Sequence, residues 1–262
     1  IFPENSNHGF FKASYYEKTH YYKYLYYIFC MNVYLNKGSF SLDDTAMNRL
    51  CLSLSKVYTM KIICVGRNYK DHAKELNNPV PVEPVIFMKP DTALLKPGED
   101  FYLPDFDPDI HYECELVYRI SREGKSIQKP FVFSYLDALC LGIDFTARTL
   151  QENAKKNGLP WTLAKAFNGS APVSKTIPIS QFPNHKDIKF EFFVNGQIRQ
   201  QGNTADMIFD IESLIVYISR FFQLKTGDLI FTGTPAGVGK VQAGDHLEAY
   251  IEGEKMLDLY VR

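Results

Sequence analysis

The sequence predicts an α+β fold dominated by strands, and three observations carry that prediction. Short apolar runs bounded by Gly, Pro, Asn and Asp outnumber the helical patterns. They do not alternate regularly with helices, as a doubly wound parallel sheet would require. Asn195-Gly196 also sits between two strand-like runs, the strongest hairpin signal in the chain. The 262 residues suit one large domain or two small ones. With 45% hydrophobic and 23% charged residues, the balance is that of a globular protein with a sizeable core.

Taken in order, Lys61–Val65 reads as an apolar strand that stops at Gly66, and Asp71–Leu76 as a short helix. Pro79, Pro81 and Pro84 make a loop, Val85–Met88 a strand, and Pro97-Gly98 a turn. Tyr112–Ile120 is expected as one long strand and Leu139–Phe145 as another. A helix through Ala147–Asn157 ends at Gly158 and Pro160. Asp187–Gln200 carries the hairpin. Asp210 is placed to cap a helix whose apolar face runs Ile211, Leu214, Ile215, Ile218 and Phe222. Strands at Asp228–Phe231, His246–Ile251 and Met256–Val261 close the chain.

Residues 1–59 differ from the rest. They hold nine of the 17 tyrosines, eight of them between Tyr15 and Tyr34. They show no clean period, no cleavable secretory layout, and a single arginine, Arg49. We expect a leader outside the fold, with the natural start at Met60 and a catalytic domain over 60–262. Mass spectrometry of the native N-terminus tests this.

Charge and cysteines exclude several classes. The 29 basic and 30 acidic side chains leave a formal charge of -1, without the basic excess of a nucleic-acid binder. No run of 18 or more apolar residues reads as a membrane span. Neither nucleic acid nor membrane is an expected partner. The five cysteines are scattered and form no Cys-x-x-Cys pair, which fits buried thiols in a reducing compartment. The expected location is the cytoplasm, or the mitochondrial matrix in a eukaryote.

The chemistry concentrates in a few places. In His111-Tyr112-Glu113-Cys114-Glu115, strand alternation puts Glu113 and Glu115 on one side, their Cα atoms about 6.7 Å apart. Two carboxylates at that spacing can converge on one hard cation, or form a solvated strand face. Oxygen-only ligation selects magnesium, manganese or calcium over zinc. Asp144 ends a buried apolar run and needs a partner, which is either that cation or Arg148, four residues on. A third carboxylate would leave coordination positions open for water and substrate.

His72 and Glu75, at i and i+3, can face one another, an arrangement that suits a general base and favours the protonated ring. Lys165 stands among apolar neighbours and either neutralises an oxyanion or reaches the surface. Thr232-Gly233-Thr234-Pro235-Ala236-Gly237-Val238-Gly239 follows a strand, and its backbone can approach a carboxylate closely. It lacks the ending of a phosphate-binding P-loop.

Gly66-Arg67-Asn68-Tyr69…His72…Glu75, Phe87-Met88-Lys89-Pro90, Glu113-x-Glu115, Asp144-x-x-x-Arg148-x-x-Gln151, Lys165 and the Thr232–Gly239 loop occur in one order. Together they resemble the fumarylacetoacetate hydrolase family over Met60–Arg262. The likeness is to its short, single-domain acylpyruvate hydrolase and oxaloacetate decarboxylase members. The resemblance implies a mixed β-roll with few peripheral helices, usually a homodimer. It implies one magnesium ion, with manganese or calcium as alternatives, held by Glu113, Glu115 and Asp144. Larger members add an aspartate upstream of the glutamate pair; the expectation here is three protein ligands plus waters.

The same resemblance makes His72 and Glu75 a catalytic dyad on a lid, with Lys165 as the third catalytic residue. Arg67, Tyr69, Arg148, Gln151 and Thr234 would line the substrate pocket. The activity it implies first is hydrolysis of 3-acylpyruvates to pyruvate and a carboxylic acid through a metal-stabilised enolate. Oxaloacetate decarboxylation or tautomerisation, and isomerisation of the 2-hydroxyhepta-2,4-diene-1,7-dioate type, would use the same site. Non-catalytic binding of a keto acid is the remaining alternative.

Overall fold

The protein is described from a computed structural model, over residues 60–75, 79–95 and 98–262. The expected leader at 1–59 lies outside these residues, as do Leu76 of the first expected helix and Pro97 of the turn.

β1 (Ile62–Gly66) leads to the short helix α1 (Lys70–Glu75), and β2 (Val85–Lys89) follows the proline loop. β3 (Ile110–Tyr112) and β4 (Cys114–Ile120) flank Glu113, and β5 (Leu136–Ile143) folds back on β4. β6 (Thr146–Ala147) opens into α2 (Arg148–Asn157), followed by α3 (Thr162–Lys165) and β7 (Ile177–Pro178). Next come the hairpin β8 (Lys189–Val194) and β9 (Gln197–Asn203), helix α4 (Ile211–Phe221) and β10 (Leu229–Phe231). β11 (Gly239–Lys240), β12 (His246–Ile251) and β13 (Glu254–Tyr260) complete the chain.

The strands form a six-stranded sheet in the order β2-β1-β10-β4-β5-β7, a three-stranded sheet β11-β3-β6, and a four-stranded sheet β13-β12-β8-β9. Within the large sheet only β1 and β10 run parallel. Its central strands are apolar at successive positions because both faces are covered. Ile62, Cys64, Leu229, Phe231, Val117 and Cys140 fill one face. Ile63, Val65, Ile230, Leu116, Tyr118, Leu139 and Leu141 belong to the main core, which also holds Phe190 and Phe192 of β8. Truncating the fully buried Phe231 to Ala would cost about 3–5 kcal/mol.

Local signals act as expected. Asp210 accepts from the Ser213 amide at 2.8 Å and starts α4. Gly158 ends α2 in the left-handed conformation (φ 65°). Asn195 (φ 54°) and Gly196 (φ 72°) make the two-residue turn between β8 and β9.

The long strand expected at Tyr112–Ile120 is instead two strands in different sheets, divided at Glu113. The break is stable because side chains replace the ladder around it. The Cys114 amide donates to Gln200 Oε1 (2.9 Å), and its carbonyl accepts from the Thr234 hydroxyl (2.7 Å).

Candidate active site

β4 and β5 pair antiparallel with Cys114 opposite Ile143 and Glu115 opposite Gly142, so the residues just beyond that rung, Glu113 and Asp144, lie side by side. The Asp144 amide donates to the Glu113 carbonyl at 2.8 Å. Glu115, two residues along β4, completes the group. Carboxylate oxygens of Glu113, Glu115 and Asp144 lie within 4.8 Å of one another, and all three residues are buried.

Cations and backbone amides meet these acids. Lys165 Nζ lies 2.8 Å from Glu113 Oε2, 2.6 Å from Asp144 Oδ2 and 2.6 Å from Thr146 Oγ1. Arg148 donates to Glu113 Oε1 (2.7 Å) and to Gln151 Oε1 (2.6 Å). Arg148 therefore does not pair with Asp144, which was the ordinary alternative for that carboxylate. Asp144 is paired with Lys165 and with Lys89, whose Nζ is 2.7 Å from Oδ1. Glu115 receives the Gly233 amide at 2.7 Å. That approach depends on Gly233 being left-handed (φ 96°), where a Cβ would also strike Asn68.

Burial pushes the Glu115 carboxyl well up, and the neighbouring Asp144 and Glu113 charges push it further. Burial acts on Glu113 in the same direction, but Lys165, Arg148 and His72 outweigh it and hold that carboxyl well below the usual range. For Lys165, burial opposes the charge, yet Asp144 and Glu113 prevail and raise its pKa. Lys165 is therefore an ammonium, suited to neutralising an anion and unsuited to acting as a base.

The donor set fits a hard divalent ion. It is oxygen-only, it is buried, and Asp144 Oδ1 accepts no hydrogen bond despite the nearby Lys89. Burial and two like charges disfavour ionisation of Glu115, and a cation would offset both and favour the carboxylate.

His72 is buried on α1, with Nδ1 3.3 Å from Glu75 Oε2. Glu75 also accepts from the Gly237 amide at 3.1 Å, which ties α1 to the Thr232–Gly239 loop. Gly237 has φ 100°, and a Cβ there would collide with the Arg199 carbonyl oxygen. Glu75 does favour the protonated ring, as expected, through its hydrogen bond and its charge, but burial outweighs it. Burial lowers the His72 pKa below 6.5, and the opposing effects of Glu113 and Glu75 do not restore it. The ring is neutral at pH 7.

The remaining expected residues separate by place. Gln151 is buried beside Arg148. Tyr69 is buried with its hydroxyl unpartnered, and Arg67 lies over Trp161 with φ 59°. Thr234 reaches the site, but its one hydroxyl proton is committed to the Cys114 carbonyl, leaving only acceptor capacity.

Four supporting residues were not assigned from sequence. Lys89 is fully buried and also donates to the Ser170 carbonyl and hydroxyl (2.9 Å each) and to the Lys165 carbonyl. A lysine ending an apolar strand was the same signal that exposed Asp144. Gln200 on β9 donates to Thr234 Oγ1 (2.7 Å) and the Pro235 carbonyl (2.9 Å) while accepting from Cys114. Asn68 donates to the Phe209 and Thr232 carbonyls and fixes the approach to α1. Asp107 accepts from the Leu150 amide (3.0 Å) and supports the start of α2. The last three carry no local signal for these contacts, since the partners named are 34 or more residues away.

Residues 61–259 match the family model described as "Fumarylacetoacetate (FAA) hydrolase C-terminal". The chain belongs to the fumarylacetoacetate hydrolase family. The family also supplies its relatives. The protein named "Oxaloacetate tautomerase FAHD1, mitochondrial" from Rattus norvegicus is 44% identical over 192 residues, covering 73% of this chain and 87% of the relative. The crystal structure of fumarylpyruvate hydrolase from Pseudomonas aeruginosa, in complex with Mn2+ and pyruvate, has a TM-score of 0.73 and 34% identity. It covers 77% of this chain and 88% of its own. The 2-hydroxyhepta-2,4-diene-1,7-dioate isomerase from Mycobacterium marinum has a TM-score of 0.67 and 34% identity, covering 77% and 73%. These fumarylacetoacetate hydrolase family relatives are named as enzymes of three reaction types.

Proposed function

We propose that the protein is a divalent-metal-dependent enzyme of 2-oxo acids. Its first reaction would be proton exchange at the carbon beside the keto group, with oxaloacetate the substrate to try first. The observation that carries this is a neutral, buried base near an obligate ammonium. His72 has its Nδ1 engaged by Glu75, and Lys165 is held charged by Glu113 and Asp144.

Glu113, Glu115 and Asp144 would hold the ion, which supplies Lewis-acid stabilisation of negative charge on the keto acid. The chain's own groups do the rest. With its Nδ1 proton directed to Glu75, the His72 Nε2 lone pair is free to accept the C3 proton. The C–H electron pair becomes the C2–C3 double bond and the charge passes to the C2 oxygen. Lys165 balances that charge in a buried setting. Protonation on oxygen gives the enol, and the reverse gives the ketone. The name of the rat relative supports this reading over the one expected first from the sequence.

Hydrolysis of acylpyruvates is the second reading. It is favoured by the Pseudomonas aeruginosa relative named a fumarylpyruvate hydrolase and bound to Mn2+ and pyruvate. There His72 would take its proton from an attacking water. Decarboxylation of oxaloacetate and the diene-dioate isomerisation share the same charge separation.

The test follows enol absorbance of oxaloacetate with Mn2+ or Mg2+, then with chelator, beside an acetylpyruvate cleavage assay. Acceleration abolished by chelator and by His72→Ala supports the tautomerase reading. Cleavage of acetylpyruvate alone replaces it with the hydrolase reading, and no rate on either overturns both. Sedimentation tests the expected homodimer. Fractionation decides between the cytoplasm and the mitochondrial location that the rat relative's name carries.

A further inference from the structure

Charge is matched inside the site and unmatched at its rim. Glu113 and Asp144 pair with Lys89, Arg148 and Lys165 within it. At the rim, Arg67 and Lys155 share Trp161, their charged centres 5.8 and 5.7 Å from the ring centroid. No carboxylate among the described residues lies within ion-pair distance of either cation. Both distances approach the roughly 6 Å limit of a useful cation–π contact, so the ring does not replace a counter-ion.

We propose that Arg67, Lys155 and Trp161 form a second anion subsite that takes the distal carboxylate of a dianionic 2-oxo acid. This rests on the reading of the site as one for 2-oxo acids, and it names the substrate class.

The fold connects the rim to the acids. Arg148, Gln151 and Lys155 fall at i, i+3 and i+7 along one stripe of α2. Arg148 and Gln151 are buried and Lys155 is half-buried, so the stripe climbs from Glu113 toward solvent. Lys155 stands about 6 Å of helical rise beyond Gln151, a step matched to a short diacid.

The turn at Gly158, with the Leu159 amide on the Ala154 carbonyl (2.8 Å), brings Trp161 back over Lys155. Trp161 packs against Gly66 and meets Phe87 edge-on at 5.9 Å, and Lys165 Nζ lies 5.1 Å from the Phe87 ring centroid. The aromatic pair thus spans the distance from the site's ammonium to the basic rim.

Two independent features show that the rim cations are held at a cost. Arg67 adopts a left-handed backbone (φ 59°), which side chains other than glycine rarely take, and its Nε is buried without a partner. Burial, then Arg148 and Arg67, lowers the Lys155 pKa, so the ammonium is destabilised as it stands. A carboxylate between them would satisfy both, and arginine offers it a planar fork of donors.

The test compares oxaloacetate with its 4-methyl ester, which keeps the keto-acid end and removes only the distal charge. With Mn2+-loaded protein, the ratio of kcat/KM for diacid over ester should fall about tenfold in Lys155→Gln and in Arg67→Gln, the worth of one charged contact. Lys155→Arg should restore most of the ratio. A ratio held within about twofold in both glutamine variants overturns the subsite. If the wild type accelerates neither compound, the reaction reading has failed. The subsite is then judged by calorimetric titration of the Mn2+-loaded protein with the same pair. Preference for the diacid that Lys155→Gln removes supports it, and equal affinities overturn it.

Discussion

Replacing Gln200 with Leu tests whether the four-stranded sheet supports the site through one side chain. Gln200 is 1% exposed and makes three bonds: from the Cys114 amide, and to Thr234 Oγ1 and the Pro235 carbonyl. Leucine fills similar space but leaves the Cys114 amide and the Pro235 carbonyl without these partners. Thr234 keeps its own bond to the Cys114 carbonyl and is not orphaned. Two buried unsatisfied groups at about 1–2 kcal/mol each give a loss of about 2–4 kcal/mol. For a domain of this size that is a fall in Tm of roughly 5–15 °C. Because Cys114 lies between Glu113 and Glu115, Mn2+ affinity should weaken about tenfold, in the range seen for groups supporting metal ligands. Urea unfolding of the metal-free protein and calorimetric Mn2+ titration measure the two effects. Gln200→Glu, which keeps the acceptor for Cys114, should bind Mn2+ more tightly than Gln200→Leu. A Gln200→Leu protein within about 0.5 kcal/mol of wild type and with unchanged Mn2+ affinity would refute the reasoning.

Four further outcomes follow from the same geometry. Glu115→Gln should raise the Tm of the metal-free protein, since it removes a carboxyl whose ionisation burial, Asp144 and Glu113 all oppose, and should abolish the rise in Tm on adding Mn2+. Differential scanning calorimetry checks both signs. The kcat/KM profile should lose activity on the acid side with an apparent pKa below 6.5: His72 is neutral above that value and protonates only as pH falls through it. Glu75→Gln removes an effect that raises the His72 pKa, so its acid limb should move to lower pH while kcat falls. Gly237→Ala should destabilise the protein by about 2 kcal/mol or more, because it adds a Cβ at φ 100° against the Arg199 carbonyl. Its Glu75–Gly237 contact should loosen, which a kcat fall larger than the change in KM would report.

The site was legible where chemistry repeats within a short span. Glu113 and Glu115 stand two apart, His72 and Glu75 three apart, and Asp144 ends a buried strand, so local geometry exposed each group. Other features were hidden because their causes are distant. The strand break at Glu113 depends on Gln200 and Thr234, 86 and 120 residues from Cys114. Local pattern therefore read Tyr112–Ile120 as continuous. His72 misled for a related reason. The neighbouring Glu75 is visible in sequence and argues for a protonated ring, whereas burial, which decides the matter, is not.

The sequence by itself determined the strand-dominated class, the hairpin at Asn195-Gly196, the caps of α2 and α4, and the candidates for the site: the three acids, the His72–Glu75 pair and Lys165. Those are properties of period, turn chemistry and residue type within about a dozen positions. Only the tertiary structure decided the pairings. It assigned Arg148 to Glu113 and Lys89 to Asp144, placed Lys165 between two acids, and left Arg67 and Lys155 facing one tryptophan. Ionic partners are chosen by distance in a desolvated interior, and strand register, not sequence separation, sets that distance.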